Sequence, residues 1–414
     1  MQDKNRWLTS RVERGLSTSR VVVITGPRQS GKTTLVKHLL ASSGTFRRLD
    51  DETTLQAARN DPAGFVRYGP TPRAIDEIQL GGDALVRAVK TVVDDDRSTG
   101  QFILDGSADF LTVPGLSESL AGRAAFYELW PFSQGEIEGV RDAFTQRAFT
   151  EPEVFRTLAP SRISTGDYLE RVCAGGFPEA YPLPESDRAD WLDGLIRTVT
   201  QRDIAAVTDA RRTTQLPLLL RLLAARTAGE LVTSQVHADS GLGRDTTADY
   251  IGFLEMTYLV HRLPCWSSNL TNRVKRTPKI YITDTGLASH LLGVDPARLD
   301  VPEDTRRGPL IETFVVNEIR KQLAWSGVRA EMFHFRDRNG YEVDLILQTP
   351  DGRVVAIEVK SAQTVTKRDF KHLAWLRDRL GASFVHGYVV NLSGAPLAFG
   401  DRLTAVPLSY VWDG

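Results

Sequence analysis

At 414 residues, 25% of them charged and 41% hydrophobic, the chain has room for roughly two to four domains and the makeup of a soluble globular protein. A formal net charge of −1 advertises no global affinity for nucleic acid, so any such contact must come from local patches. Cys173 and Cys265 fit no metal-ligand spacing, the amino terminus is too polar for a secretion signal, and no apolar run has the length of a membrane span; a cytoplasmic protein with buried free thiols and no membrane partner is expected.

The first informative stretch is residues 20–38. Val21 to Ile24 are apolar and mostly β-branched, which predicts a buried parallel strand. Gly26-Pro27-Arg28-Gln29-Ser30-Gly31-Lys32-Thr33 then matches the phosphate-loop pattern GxxxxGK[ST], with Thr34 opening an apolar helical run. A glycine-rich turn lets successive amides point inward at phosphates, and the positive end of the next helix adds to the field. Lys32 is expected to reach the β- and γ-phosphates of ATP, and Thr33 to join the shell of a Mg²⁺ ion.

Thr45 to Leu49 reads as a second strand running into Asp50-Asp51-Glu52. Arg73-Ala74-Ile75-Asp76-Glu77 follows, 44 residues beyond Lys32 at Asp76. Asp76 suits the Mg²⁺ shell and Glu77 the base that orients the attacking water. Gln101 to Leu104 predicts another strand, after which Asp105 or Ser107 serves either as a polar sensor of the γ-phosphate or as an ordinary turn. Arg123 supplies charge to the transferring phosphate, in its own or a neighbouring site, or sits in a surface salt bridge. Strands alternating with helices predict a three-layer parallel α/β domain over residues 1–150.

Residues 141–165 lack periodicity and suggest a boundary, followed by a helical lid or linker over 151–210 with a turn at Gly175-Gly176-Phe177-Pro178-Glu179. Residues 211–300 read as three helices and a hairpin, a winged-helix pattern. The hairpin loop, with Arg273, Lys275, Arg276 and Lys279, is placed to meet DNA phosphates, although the helix before it is acidic at Asp245, Asp249 and Glu255 and such modules also serve for packing.

In residues 301–414 a helix from Leu310 carries Glu312 on a core-facing stripe with Val316, Ile319 and Leu323, where a charge needs a partner or a metal. Three strands follow in a meander. Strict alternation groups Glu342, Asp344 and Ile346 on one face, and Val354, Ala356, Glu358 and Lys360 on one face of the next strand. Asp344, Glu358 and Glu312 then form a candidate Mg²⁺ site for phosphodiester hydrolysis, with Lys360 handling the water; a structural salt bridge is the alternative.

Val23 to Leu35, Asp76-Glu77-Ile78-Gln79, Gly106-Ser107, Leu120-Ala121-Gly122-Arg123, the 175–179 turn, Arg202-Asp203, Glu342-Val343-Asp344 and Ile357-Glu358-Val359-Lys360-Ser361 together resemble prokaryotic AAA+-like P-loop ATPases that end in a PD-(D/E)xK restriction-endonuclease-like domain. The resemblance implies an ATP-binding core, a winged-helix middle and a nuclease-like α/β end, with Asp105 departing from the threonine usual before Gly-Ser. Three functions follow as expectations: an ATP-hydrolysing switch on nucleic acid, an ATP-controlled metal-dependent endonuclease, or a non-cleaving ATP-gated binder of DNA or protein. An oligomer is compatible with all three.

Overall fold

The computed structural model describes residues 4–40, 43–106, 120–203, 214–267, 276–301 and 303–414. The chain divides into two compact units, the first comprising 1–132, 198–213 and 256–258 and the second the remainder.

The first unit is built on five parallel strands: β1 (Val21–Thr25), β2 (Thr45–Arg48), β3 (Arg73–Asp76), β4 (Phe102–Asp105) and β5 (Ala124–Glu128). Their order, β2-β3-β4-β1-β5, inserts β4 between β3 and β1 and leaves every residue of β1 buried. Val21 and Val23 enter a core with Leu85, Val86 and Val89 of the helix Gly82–Asp95. Helices Thr9–Thr18 and Lys32–Leu40 pack on β1 and β4 as well, so both faces of the sheet are covered, as parallel strands require.

In the second unit, helix Leu216–Ala224, β6 (Gly229–Glu230), helices Thr233–Ser240 and Arg244–Met256, β7 (Val260–Leu263) and β8 (Lys279–Ile282) follow in sequence, and the three strands form an antiparallel sheet in the order β6-β8-β7. Helix Arg307–Trp325 precedes a six-stranded mixed sheet of β9 (Glu331–Arg336), β10 (Glu342–Gln348), β11 (Val354–Val359), β12 (Phe384–Asn391), β13 (Leu397–Ala398) and β14 (Leu403–Pro407), ordered β13-β14-β12-β11-β10-β9. Strands β9 to β11 are the expected meander; β11, β12 and β14 run parallel.

Three expectations are corrected here. The first unit ends at Phe132, not at 150, and residues 133–197 join the second unit instead of forming a separate lid. Buried hydrogen bonds give the reason: the Gln134 amide donates to Glu318 Oε2 at 2.8 Å and the Thr145 amide to Gln322 Oε1 at 3.0 Å, both acceptors lying on helix Arg307–Trp325. The 175–179 turn is bound too, because the Gly176 amide donates to Asp284 Oδ2 at 2.7 Å and a Cβ at Gly175 would meet Asp284 Oδ1 at 2.2 Å. Finally, the β9–β10 ladder shifts register between Val343 and Ile346, so strict alternation fails along β10, and those two residues enter one core cluster.

Candidate nucleotide site and a second acidic cluster

β1 ends directly in the loop Gly26 to Gly31, and helix Lys32–Leu40 starts at its far side. Gly26 has φ +143°, and a Cβ there would lie 2.2 Å from the Leu129 carbonyl oxygen, so only glycine fits. Gly31 has φ +92°, and Gln29 adopts the left-handed region at φ +64°. Arg6 Nη1 donates to the Ser30 carbonyl at 2.9 Å and steadies the loop from helix-flanking chain. Pro27 and Ser30 are buried, Arg28, Gly31 and Thr33 are half-buried, and Gln29 and Thr34 are exposed. Ser30 Oγ is buried without a hydrogen-bond partner among the described residues. The first amides of a helix have no intrahelical acceptors, so this loop presents donors to an anion.

Lys32 is only 8% exposed, and its Nζ donates to the carbonyls of Gly26 at 3.0 Å and Pro27 at 2.9 Å. Burial holds its amine below the ordinary range, against the opposing pull of Asp105, Glu77 and Asp76. Thr33 Oγ1 donates to Asp76 Oδ2 at 3.0 Å, joining the loop to the end of β3. Arg48 Nε lies 3.9 Å from the same oxygen. Asp105, at the end of β4, is 1% exposed; burial, then the neighbouring Asp76 carboxyl, push it well above the carboxylate range. Glu77 sits in the left-handed region at φ 56°, ψ 45°, an unfavourable conformation for a non-glycine residue, and accepts from Gln79 Nε2.

Not every expected residue converges on this loop. Arg123 lies just before β5, whose start pairs with the start of β1, at the opposite end of the sheet from the phosphate loop. There its guanidinium holds Asp94 at 2.5 and 3.0 Å, which is the salt-bridge alternative, and its own chain's loop is out of reach. Ser107 lies outside the described residues, as do Arg273 and Lys275 and the side chains of Arg202 and Asp203.

In the second unit, Asp344 and Glu358 come together, and Lys360 Nζ donates to Glu358 Oε2 at 3.2 Å. Asp344 Oδ2 accepts from the Val359 amide at 2.9 Å. Glu312 also joins this group, but its partner is Lys279. That residue was expected on an exposed basic loop; it is instead 3% exposed on β8, with Nζ 2.8 Å from Glu312 Oε1 and 3.3 Å from both Glu342 Oε1 and Asp344 Oδ1. Tyr281 OH donates to the same Glu312 oxygen at 2.7 Å. Burial disfavours the Lys279 charge, yet Asp344, Glu312 and Glu342 outweigh it and raise the amine above its ordinary range. Burial, then Asp344, lifts Glu312 to about 8, and the same two causes raise Glu358 well above its usual value. Among the described residues no group of three or more His, Cys, Asp or Glu side chains has metal-holding geometry. The signal that could have found Lys279 is the alternation Lys-Ile-Tyr-Ile, which puts Lys279 and Tyr281 on one side of β8.

The sheet order and loop define a P-loop ATPase fold of the AAA kind, and residues 18–138 match a model described as an AAA domain. Residues 165–298 and 307–411 match two models described as domains of unknown function, DUF8612 and DUF4143. The uncharacterized proteins Rv2008c of Mycobacterium tuberculosis and Mb2031c of Mycobacterium bovis are each 31% identical over 371 residues, covering 87% of this chain and 75% of theirs. The chain belongs to the family of these two mycobacterial proteins. Among solved structures, the Walker-type ATPase PABY2304 of Pyrococcus abyssi is 14% identical over 69% of this chain and 94% of its own, with a TM-score of 0.40. The RuvB Holliday junction branch migration motor of Thermotoga maritima is 15% identical over 65% of this chain and 93% of its own, with a TM-score of 0.30. No helix among the described residues is long and apolar enough to cross a membrane, and both cysteines are free and buried.

Proposed function

We propose that the first unit binds and hydrolyses ATP with Mg²⁺. The observation that carries this reading is the Thr33–Asp76 hydrogen bond beside a buried lysine whose Nζ donates to two backbone carbonyls. A triphosphate offers Lys32 a better acceptor than those carbonyls. The amides of residues 28–34 cradle the phosphates, and Thr33 and Asp76 would hold a Mg²⁺ ion, which supplies positive charge against the phosphates when bound. Glu77 orients the attacking water, and the buried Asp105 carboxyl stands beside Asp76 at the end of β4. Phosphate release by purified protein tests the reading: Asp76→Ala should reduce it to background, and unchanged turnover would refute the assignment.

Nucleic acid is the proposed target. The helix–strand–helix–helix–hairpin order of residues 216–282 supports a winged-helix reading, and a groove of about 600 Å³ is lined by Arg276, Arg336 and Arg338 together with Glu230 and Asp337, with Arg336 paired to Glu230. The convergence of Asp344, Glu358 and Lys360 on a mixed sheet supports a restriction-endonuclease-like carboxy-terminal domain. ATP turnover with and without DNA, with cleavage products read from the same tubes, separates the readings. Stimulation without cleavage favours a switch or gated binder, cleavage favours a nuclease, and no effect of DNA on either readout removes nucleic acid as target.

A further inference from the structure

The acidic cluster of the second unit already contains a cation. Four carboxylates, Glu312, Glu342, Asp344 and Glu358, face two ammonium groups, Lys279 and Lys360. Lys279 Nζ lies within 3.3 Å of three of the four. A Mg²⁺ ion there would need oxygens at roughly 2.1 Å around a single centre. The ammonium already occupies the space between the Glu312 and Asp344 oxygens, and two cations cannot share that position. Glu358 is 4% exposed; its Oε1 has no hydrogen-bond partner among the described residues and lies 4.0 Å from His372 Nδ1. One carboxylate oxygen next to Asp344 is thus left over, a ligand position without a ligand. Lys279 belongs to β8, an element of the small antiparallel sheet, whereas the carboxylates belong to helix Arg307–Trp325, β10 and β11. The plug and its socket therefore sit on different elements.

We propose that Lys279 is a built-in plug: it stands where a divalent cation would sit, and Glu312, Asp344 and Glu358 take up Mg²⁺ or Mn²⁺ only when β8 is drawn away. The inference concerns metal uptake and is independent of whether the domain cuts nucleic acid. Withdrawal of Lys279 leaves an excess of carboxylate charge that a divalent ion neutralises.

The test is Mn²⁺ titration of nucleotide-free full-length protein, followed by electron paramagnetic resonance and by Mn²⁺-dependent thermal shift. Lys279→Met should gain one Mn²⁺ site at least tenfold tighter than any in the wild type, with a matching rise in Tm. Adding Asp344→Asn should abolish both, and Lys279→Arg, which keeps the charge, should show neither. A wild-type protein that binds Mn²⁺ as tightly as Lys279→Met, with loss on Asp344→Asn, would overturn the proposal, as would a folded Lys279→Met that gains no site. If Lys279→Met does not fold, Lys279→Gln read in the same way decides: a Mn²⁺ site gained over the wild type and lost on adding Asp344→Asn supports the plug, and no gain contradicts it.

Discussion

Two buried lysines do opposite work in the two units. Lys32 makes its hydrogen bonds to dipoles, the Gly26 and Pro27 carbonyls, and burial lowers its affinity for a proton in spite of the more distant Asp105, Glu77 and Asp76. Lys279 is surrounded by charges, with three carboxylates against its amine and a proton held more firmly than usual. The first ammonium is under-neutralised and ready for an anionic ligand; the second is satisfied by the protein itself. Burial alone therefore says little about function. What decides is whether the partners are neutral acceptors that a ligand can outbid or formal charges that it cannot.

That contrast can be broken or sharpened by substitution. The largest stability effect belongs to Lys279→Met, which strands three carboxylates and should cost about 3–5 kcal/mol in chemical denaturation. Lys32→Met removes a charge held only by carbonyls and should stay within about 1 kcal/mol of wild type; equal losses at the two sites would erase the distinction. Glu77→Gln should lower ATP turnover on the order of 10²–10³-fold with MgATP binding retained. Lys360→Ala, in the other unit, should leave basal turnover within about twofold of wild type, since no step of the proposed phosphate chemistry uses it. Gly26→Ala forces a Cβ to 2.2 Å from the Leu129 oxygen at φ +143°, and a loss of about 2–3 kcal/mol should appear as a lower Tm.

A separate effect is a pH dependence at another buried carboxyl. Asp142 accepts from Ser133 Oγ at 2.7 Å and the Gly135 amide at 3.1 Å, but burial, then Glu318, lift it to about 8. Its folded value lies above the unfolded value of roughly 3.9, so its contribution is complete below pH 4 and is lost as pH rises towards 8. Asp142→Asn should flatten the decline in Tm across that window. Parallel Tm profiles for the two proteins would show that Asp142 does not titrate there.

The phosphate loop was readable because its parts are contiguous: a β-branched strand, two glycines at fixed spacing, a lysine and a threonine. Asp76 was readable from its place at a strand end, and the structure bonds it to Thr33. The cluster around Lys279 was not, because its partners stand 33 to 65 residues away and a lysine next to Arg276 looks like part of an exposed basic loop. The core-facing position of Glu312 was legible, and the need for a partner with it; that the partner is an ammonium is a property of tertiary packing. Arg123 takes the salt-bridge alternative for a related reason: the motif gave its neighbours, while the parallel register put it at the amino end of the sheet, beside Asp94. Strict alternation along β10 failed at a bulge, which periodicity cannot anticipate.

The central claim is that the Lys32 ammonium leaves its carbonyls for a triphosphate. Calorimetric titration of MgATP into nucleotide-free wild type and Lys32→Ala, with phosphate release measured on the same samples, tests it most directly. The account predicts saturable binding and turnover in the wild type, with binding weakened at least about tenfold and turnover at background in the variant. Equal affinity and equal turnover in the two proteins would contradict it.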